Sequence, residues 1–205
     1  MKLKTLEMKL QRLAGFTRPR ASLEQYQTPA TLAARLLYDA LMSGDIGGKR
    51  VCDLGSGTGM LAIGASLLGA ESVVGVEIDE KATEVAKENS MLLAADVEFI
   101  VADVKDEALS ARIGPCDTVV MNPPFGAQKA HADRPFIDLA LSIAPVTYGI
   151  FNSGSTPFVQ AYTNGRAEIT GIVSGTFPIR RTFSFHTRDV QEIGVEILRL
   201  KRILP

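Results

Sequence analysis

Apolar residues change their period along this chain. Near the start, Leu3, Leu6, Leu10 and Leu13 recur at helical spacing in MKLKTLEMKLQRLAG, and Gly15 ends the run. The irregular stretch FTRPRASLEQYQTP follows. Pro29 then opens a second helix, ATLAARLLYDALMSG, with Thr28 in the N-cap position. DIGGKR is a turn, and beyond it short apolar runs alternate with amphipathic ones. The runs VCDL, ESVVGVE, VEFIVAD, DTVVMN and VTYGIFN predict strands. GMLAIGASLLG, EKATEVAKENSML, RPFIDLALSIA and STPFVQAYTNG predict helices. Two long strands, AEITGIVSGTFPI and QEIGVEILRLK, close the chain with no helix between them. Strand–helix alternation predicts an α/β fold with a mostly parallel sheet of seven strands and helices on both faces. The terminal hairpin adds one antiparallel strand. Residues 1–45 are expected to form a helical extension to a core of residues 46–205, within a single structural domain.

The 205 residues, 46% of them hydrophobic, can bury a sizeable core. No apolar run reaches the roughly 18 residues of a membrane span, and MKLKTLEMKL lacks the pattern of a signal peptide. Cys52 and Cys116 stand alone, which argues against a disulfide framework or a self-contained zinc site and fits a reducing cytoplasm. The net charge of −1 hides an uneven spread. Residues 1–20 carry six bases and one acid, residues 71–117 twelve acids and four bases, and residues 118–205 nine bases and six acids. Basic ends around an acidic middle suit contact with a polyanion, although solvated surface accounts for them as well.

DLGSGTG, Asp53 to Gly59, lies between the first core strand and its helix. Glycines there permit a sharp turn and close backbone approach to a ligand. Their spacing is G-x-G-x-G, with Met60 where the dinucleotide fingerprint needs its third glycine. Such a loop suits a nucleoside carrying an amino-acid tail in place of a pyrophosphate. Glu77 ends the next strand, at the position where an acid takes ribose hydroxyls; Asp79 reads as a helix N-cap. Asp103 ends the third strand and could accept a bond from an exocyclic amine. The fourth strand ends in MNPPFG. Two prolines fix two φ angles and remove two N–H groups, leaving a free carbonyl, the Asn122 amide and the Phe125 ring. That set suits a planar, amine-bearing ligand.

With these residues in place, the chain resembles class I methyltransferases that use S-adenosylmethionine, with their Rossmann-like fold. NPPF resembles the [N/D]-P-P-[F/Y/W] signature of amino-group N-methyltransferases. LEQYQTP, DLGSGTGMLAIGASLLGAESVVGVEIDE, DTVVMNPPFG and FSFHTRD are together similar to the eukaryotic family that makes N6-methyladenosine in small-subunit ribosomal RNA, and to its archaeal relatives. The similarity runs from about residue 3 to residue 202. It implies that Gln25, Tyr26 and Thr28 close over the cofactor. It also implies that Asp53, Gly55, Gly57, Thr58, Gly59, Glu77, Ile78, Asp103 and Val104 surround the cofactor, with Asn122 beside it. Asn122, Pro123, Pro124 and Phe125 would hold the target adenine. Without the resemblance, EQYQTP reads as a helix-capping loop with Tyr26 in the core.

The N6 lone pair of adenine is delocalised, so the nucleophile is poor. Asn122 Oδ1 and the Pro123 carbonyl would accept the two amine hydrogens and stabilise the charge that develops. No strong base is required, because the product nitrogen loses its proton readily. Phe125 would stack on a base that is unpaired or flipped out. Lys129, His131 and Arg134 form one basic loop, and Arg180, Arg181, His186 and Arg188 a second cluster suited to phosphate. Members of the family carry a more basic run where this chain has Thr187, Arg188 and Asp189. The family also works with a small zinc-containing activator subunit. An apolar edge strand such as VEFIVA gives an independent reason for a covering partner. Protein glutamine N-methylation, guanine N2 methylation and a non-catalytic cofactor-binding scaffold are the competing readings. The glutamine class carries a larger N-terminal helical domain than the roughly 45 residues here.

Overall fold

The computed structural model describes residues 1–126, 131–180 and 190–203. Its core strands are β1 (Arg50–Leu54), β2 (Ser72–Glu77), β3 (Glu98–Val101), β4 (Thr118–Met121), β5 (Val146–Asn152), β6 (Ala167–Arg180) and β7 (Val190–Arg202). They form one seven-stranded sheet in the order β3-β2-β1-β4-β5-β7-β6. β1 pairs with β2 and β4 in parallel, as do β2 with β3 and β4 with β5. β7 runs antiparallel to both β5 and β6, so one strand is reversed, as the terminal hairpin predicted.

The helices are α1 (Leu3–Leu10), α2 (Ala30–Met42), α3 (Met60–Leu67), α4 (Glu80–Leu93), α5 (Leu109–Ile113), α6 (Arg134–Ile143) and α7 (Thr156–Tyr162). α5 is not legible as a periodic run, because it has only five residues. The two faces of the sheet bury separate apolar layers. Val51, Val73, Val120 and Ile150 meet Leu6, Leu10, Leu36, Leu37 and Ile63 from α1, α2 and α3. Cys52, Val74, Val76, Val119 and Met121 face Leu109, Ile113, Ile137 and Val159 from α5, α6 and α7. Strands covered on both faces read as continuous apolar runs, which is why SVVGVE and TVVM lack alternation. The N-terminal α1 shares the first of these layers, so its leucines pack as part of the core.

Two local expectations are corrected. Thr28 does not cap α2; Pro29 holds the N-cap position and no side chain caps the helix. β3 is shorter than VEFIVAD, ending at Val101 and leaving Asp103 in the turn that follows. There Asp103 Oδ1 accepts from the Lys105 backbone N–H at 3.0 Å. Asp79 does cap α4, accepting from Lys81 N.

The strand order places β1 and β4 at the point where successive connections leave in opposite directions. In open α/β sheets, ligands bind beyond the carboxyl ends of the strands at this switch point. The loops after β1, β2, β3 and β4 gather there. The β6–β7 ribbon also extends past the end of β5. Asn152 pairs with Val195, whereas Thr176–Arg180 pair only with Val190–Gly194. The ribbon thus projects beyond the same end of the sheet.

Candidate active site

A cavity of about 640 Å³ opens at the switch point, within the range of roughly 300–1,000 Å³ usual for small-molecule sites. Its wall includes Gln25, Tyr26, Thr28, Gly55, Gly57, Thr58, Glu77, Ile78, Asp103, Val104, Asn122 and Pro124. The structure therefore brings most of the residues singled out in the sequence to one place. Phe16, Ser56, Met60 and Phe136 also line it without having been singled out as cofactor or substrate contacts.

The glycine loop is built by conformations that suit glycine. Gly55, Gly57 and Gly59 have φ of 74°, 54° and 89°. A Cβ on Gly57 would lie 2.9 Å from the Phe16 ring, and one on Gly55 2.9 Å from the Phe136 ring. Two aromatic rings thus close on the loop from opposite elements. Gly59 stands back from the cavity as the left-handed entry to α3. Asp53 is likewise absent from the wall. It is buried beneath the loop, where Oδ2 accepts from Ala62 N at 2.9 Å and Oδ1 has no partner. Burial lifts its carboxyl to about 7, against the bond from Ala62 and with the charge of Glu77 adding to the rise.

Glu77, buried at the end of β2, accepts from Gly57 N at 2.8 Å and from Asp79 N at 3.0 Å. It fixes the glycine loop to the second strand as well as facing the cavity. Burial raises its carboxyl above the usual range, and the backbone donors oppose that rise. Asn89 of α4 performs a related task. Its Nδ2 donates to Ala14 O and Thr58 O, and its Oδ1 accepts from Ala14 N, each at 2.9 Å. One buried amide therefore ties the chain after α1 to the glycine loop.

The segment from residue 20 to residue 28 lies across the cavity and is pinned at both ends. Gln25 Nε2 donates to Asp79 Oδ2 at 2.9 Å, and Gln25 Oε1 accepts from Arg20 N at 2.8 Å. Further along, Tyr26 donates its hydroxyl to Asn122 Oδ1 at 3.1 Å, and Asn122 Nδ2 donates to Thr28 Oγ1 at 2.9 Å. Burial raises the Tyr26 hydroxyl far above an ordinary phenol, so it stays a proton donor. Phe125 does not line the cavity. Its ring packs 5.6 Å from that of Tyr26 and against the α1–α3 layer. Pro123 is buried behind it. Of the basic residues, His131 reaches the cavity wall. Arg134 stacks over Phe158 and Tyr162 of α7, at 5.7 and 5.0 Å from their ring centres, and so serves packing. Lys129, Arg181, His186 and Arg188 lie outside the described residues, and Arg180 is described only as the last residue of β6.

Comparison with known proteins decides the family. The family described as ribosomal protein L11 methyltransferase (PrmA) matches residues 31–123, the part that builds the glycine loop and ends at the first residues of NPPF. The rRNA N(6)-adenosine-methyltransferase Mettl5 of Drosophila melanogaster is 34% identical over 98% of this chain and 97% of its own length. The corresponding protein of Danio rerio is 33% identical over 97% of the chain and 98% of its length. This chain belongs to the rRNA N6-adenosine methyltransferase family. The crystal structure of a candidate RNA methyltransferase from Pyrococcus horikoshii superposes with a TM-score of 0.91, at 37% identity, covering 100% of this chain and 99% of that one.

Members of this methyltransferase family use S-adenosylmethionine, and the cavity fits it. Its carboxylates, Glu24, Glu77 and Asp103, suit the ligand's sulfonium, ammonium and ribose hydroxyls. Phe16, Ile78, Val104 and Phe136 give the apolar faces that an adenine ring needs. Ser56 Oγ is buried beneath the loop, near Gly75 of β2, and has no hydrogen-bond partner among the described residues. Among the described residues no group of His, Cys, Asp and Glu is placed to hold a metal, and no helix is long and apolar enough to cross a membrane.

Proposed function

We propose that this chain methylates the exocyclic N6 of an unpaired or flipped adenosine in small-subunit ribosomal RNA. One observation carries the proposal. Asn122 leaves the end of β4 with its amide held by Tyr26 and Thr28, on the wall of the same cavity as the glycine loop and Glu77. When bound, S-adenosylmethionine supplies an electrophilic methyl group on a sulfonium. The chain's own residues then have the task of presenting a poor nucleophile. The second lone pair of Asn122 Oδ1 accepts one amine hydrogen, and the Pro123 carbonyl is the acceptor proposed for the other. Two acceptors orient the nitrogen and stabilise its growing positive charge, which is worth more in a site screened from water. The Tyr26 ring lines the cavity and gives the base an apolar wall, with Phe125 packed against it. Gln25, Tyr26 and Thr28 close over the cofactor, and Glu77 takes the ribose.

The β6–β7 ribbon extends past the sheet on the side of the site. Its connection carries Arg181, His186 and Arg188 in sequence, and Lys129 follows NPPF, so phosphate contact is assigned to these two segments. A small zinc-containing activator is the proposed partner, seated along β3. That strand is a sheet edge. The bond from Ala102 N to Glu77 O fixes the alternation, so the backbone groups of Phe99 and Val101 point outward, ready for strand addition. The cytoplasm is the proposed compartment, in keeping with two buried, unpaired cysteines.

The test is methyl transfer from labelled S-adenosylmethionine to small-subunit ribosomal RNA, with and without the activator, followed by nucleoside digestion and mass spectrometry. Label in N6-methyladenosine is the expected result. Label in N2-methylguanosine or in protein glutamine would replace the reading with one of its competitors.

A further inference from the structure

The two hydroxyls that hold Asn122 belong to the segment across the cavity, not to the strand that carries the amide. An asparagine's terminal torsion is broad and nearly two-fold, so an unheld amide presents its oxygen or its NH₂ group almost equally. Only one of these faces can serve an amine nucleophile. With the NH₂ group forward, donor would meet donor. Either hydroxyl can donate or accept, but a phenol is the stronger donor and the weaker acceptor of the two. Accordingly, Tyr26 donates to Oδ1 at 3.1 Å and Thr28 Oγ1 accepts from Nδ2 at 2.9 Å. That pairing leaves one lone pair on Oδ1 and one hydrogen on Nδ2 for whatever enters.

Reach is enforced too. Gln25 anchors the segment to Asp79 beside the ribose-binding strand end, through a 2.9 Å bond. The Tyr26 ring is supported by Phe125, the last residue of NPPF. We propose that Tyr26 and Thr28 are positioning residues for the chemistry: together they lock the Asn122 amide with its oxygen toward the target amine. The assignment rests on the role given to Asn122 above. A preset dipole stabilises the transition state without reorganisation at the moment of reaction, so the effect falls on kcat rather than on binding. Covering the cofactor and setting the amide are then performed by the same segment.

Single-turnover kinetics with the full chain and its activator test this. Tyr26→Phe deletes one hydroxyl and keeps the ring on Phe125. It should slow methyl transfer about 10-fold, as loss of one aligned contact does, with the Kd for S-adenosylmethionine and the KM for RNA within about twofold of wild type. Thr28→Val should do the same, and Thr28→Ser should restore the rate. In an Asn122→Ala background, Tyr26→Phe should change nothing further, because a residue acting only through Asn122 has nothing left to act on. The proposal is overturned if Tyr26→Phe weakens cofactor binding by as much as it slows transfer. It is equally overturned if the loss persists undiminished in the Asn122→Ala background, or if Thr28→Ser fails to restore the rate. Wild-type chain forming no N6-methyladenosine would instead defeat the underlying functional assignment.

Discussion

At the scale of single residues, two buried carboxylates beneath the glycine loop are used differently. Glu77 binds two backbone N–H groups and also lines the cavity. Glu77→Ala should therefore weaken S-adenosylmethionine by about 1.5–3 kcal/mol, the value of hydrogen bonds to a charged group, and should also loosen the loop. Calorimetry reads the first effect and the thermal midpoint the second; unchanged affinity would contradict the placement. Asp53 makes one backbone bond, and its carboxyl rises to about 7 through burial. An unfolded aspartate titrates near 3.9. Between about pH 4 and pH 7 the folded chain thus keeps a proton that the unfolded chain has released. Stability is greatest below that window, falls as pH rises through it, and is level above it. Asp53→Asn should flatten the fall in thermal midpoint between pH 5 and pH 8; an equal fall in wild type and variant would count against the assignment. The sequence pointed to Glu77 because it ends the second strand beyond the glycine loop, to Asn122 because it ends the fourth strand beside two prolines, and to Asp53 through the family resemblance. It could not separate cavity wall from foundation, since that depends on which face of the loop each carboxylate meets. Phe125 shows the same limit. Its neighbours in sequence mark it as a base-stacking ring, but only the fold reveals that it packs on Tyr26, which lines the cavity.

At the scale of elements, strand and helix order was legible because each apolar run is long enough to register a period. α5 was not, and β3 was overestimated, because only Glu98–Val101 pair with β2 within the longer apolar run. The link from Asn89 to Ala14 and Thr58 had no sequence signal, since its partners are backbone groups 75 and 31 positions away. Asn89→Ala leaves those buried groups unpaired and should cost about 1–3 kcal/mol in denaturant unfolding; a change within error would show that the link is unimportant. For the edge strand, Phe99→Glu is a poor probe of the activator, because the Phe99 ring packs over Gly75, within 3 Å of where a Cβ would stand. Val101 is 45% exposed, and its N–H faces away from β2. Val101→Pro should therefore keep the fold and the thermal midpoint while abolishing co-purification with the activator, as proline is tolerated on an edge but cannot accept a new strand. Normal co-purification would move the interface elsewhere.

At the scale of the whole molecule, the central claim is that a switch-point cavity joins a cofactor loop after β1 to an amine-holding amide after β4. Charge is consistent with that division. The acids concentrate in residues 71–117, after the glycine loop, and the bases lie toward the two ends of the chain. RNA affinity should accordingly fall steeply with salt, and Arg180→Glu with Arg181→Glu should lower both the affinity and the slope. The most direct measurement is the single-turnover rate of N6-methyladenosine formation by Asn122→Ala, taken beside its affinity for S-adenosylmethionine. The account predicts a rate reduced by about 100-fold or more, as for loss of a transition-state contact, with cofactor affinity and thermal midpoint unchanged. Methyl transfer by Asn122→Ala at the wild-type rate would contradict it.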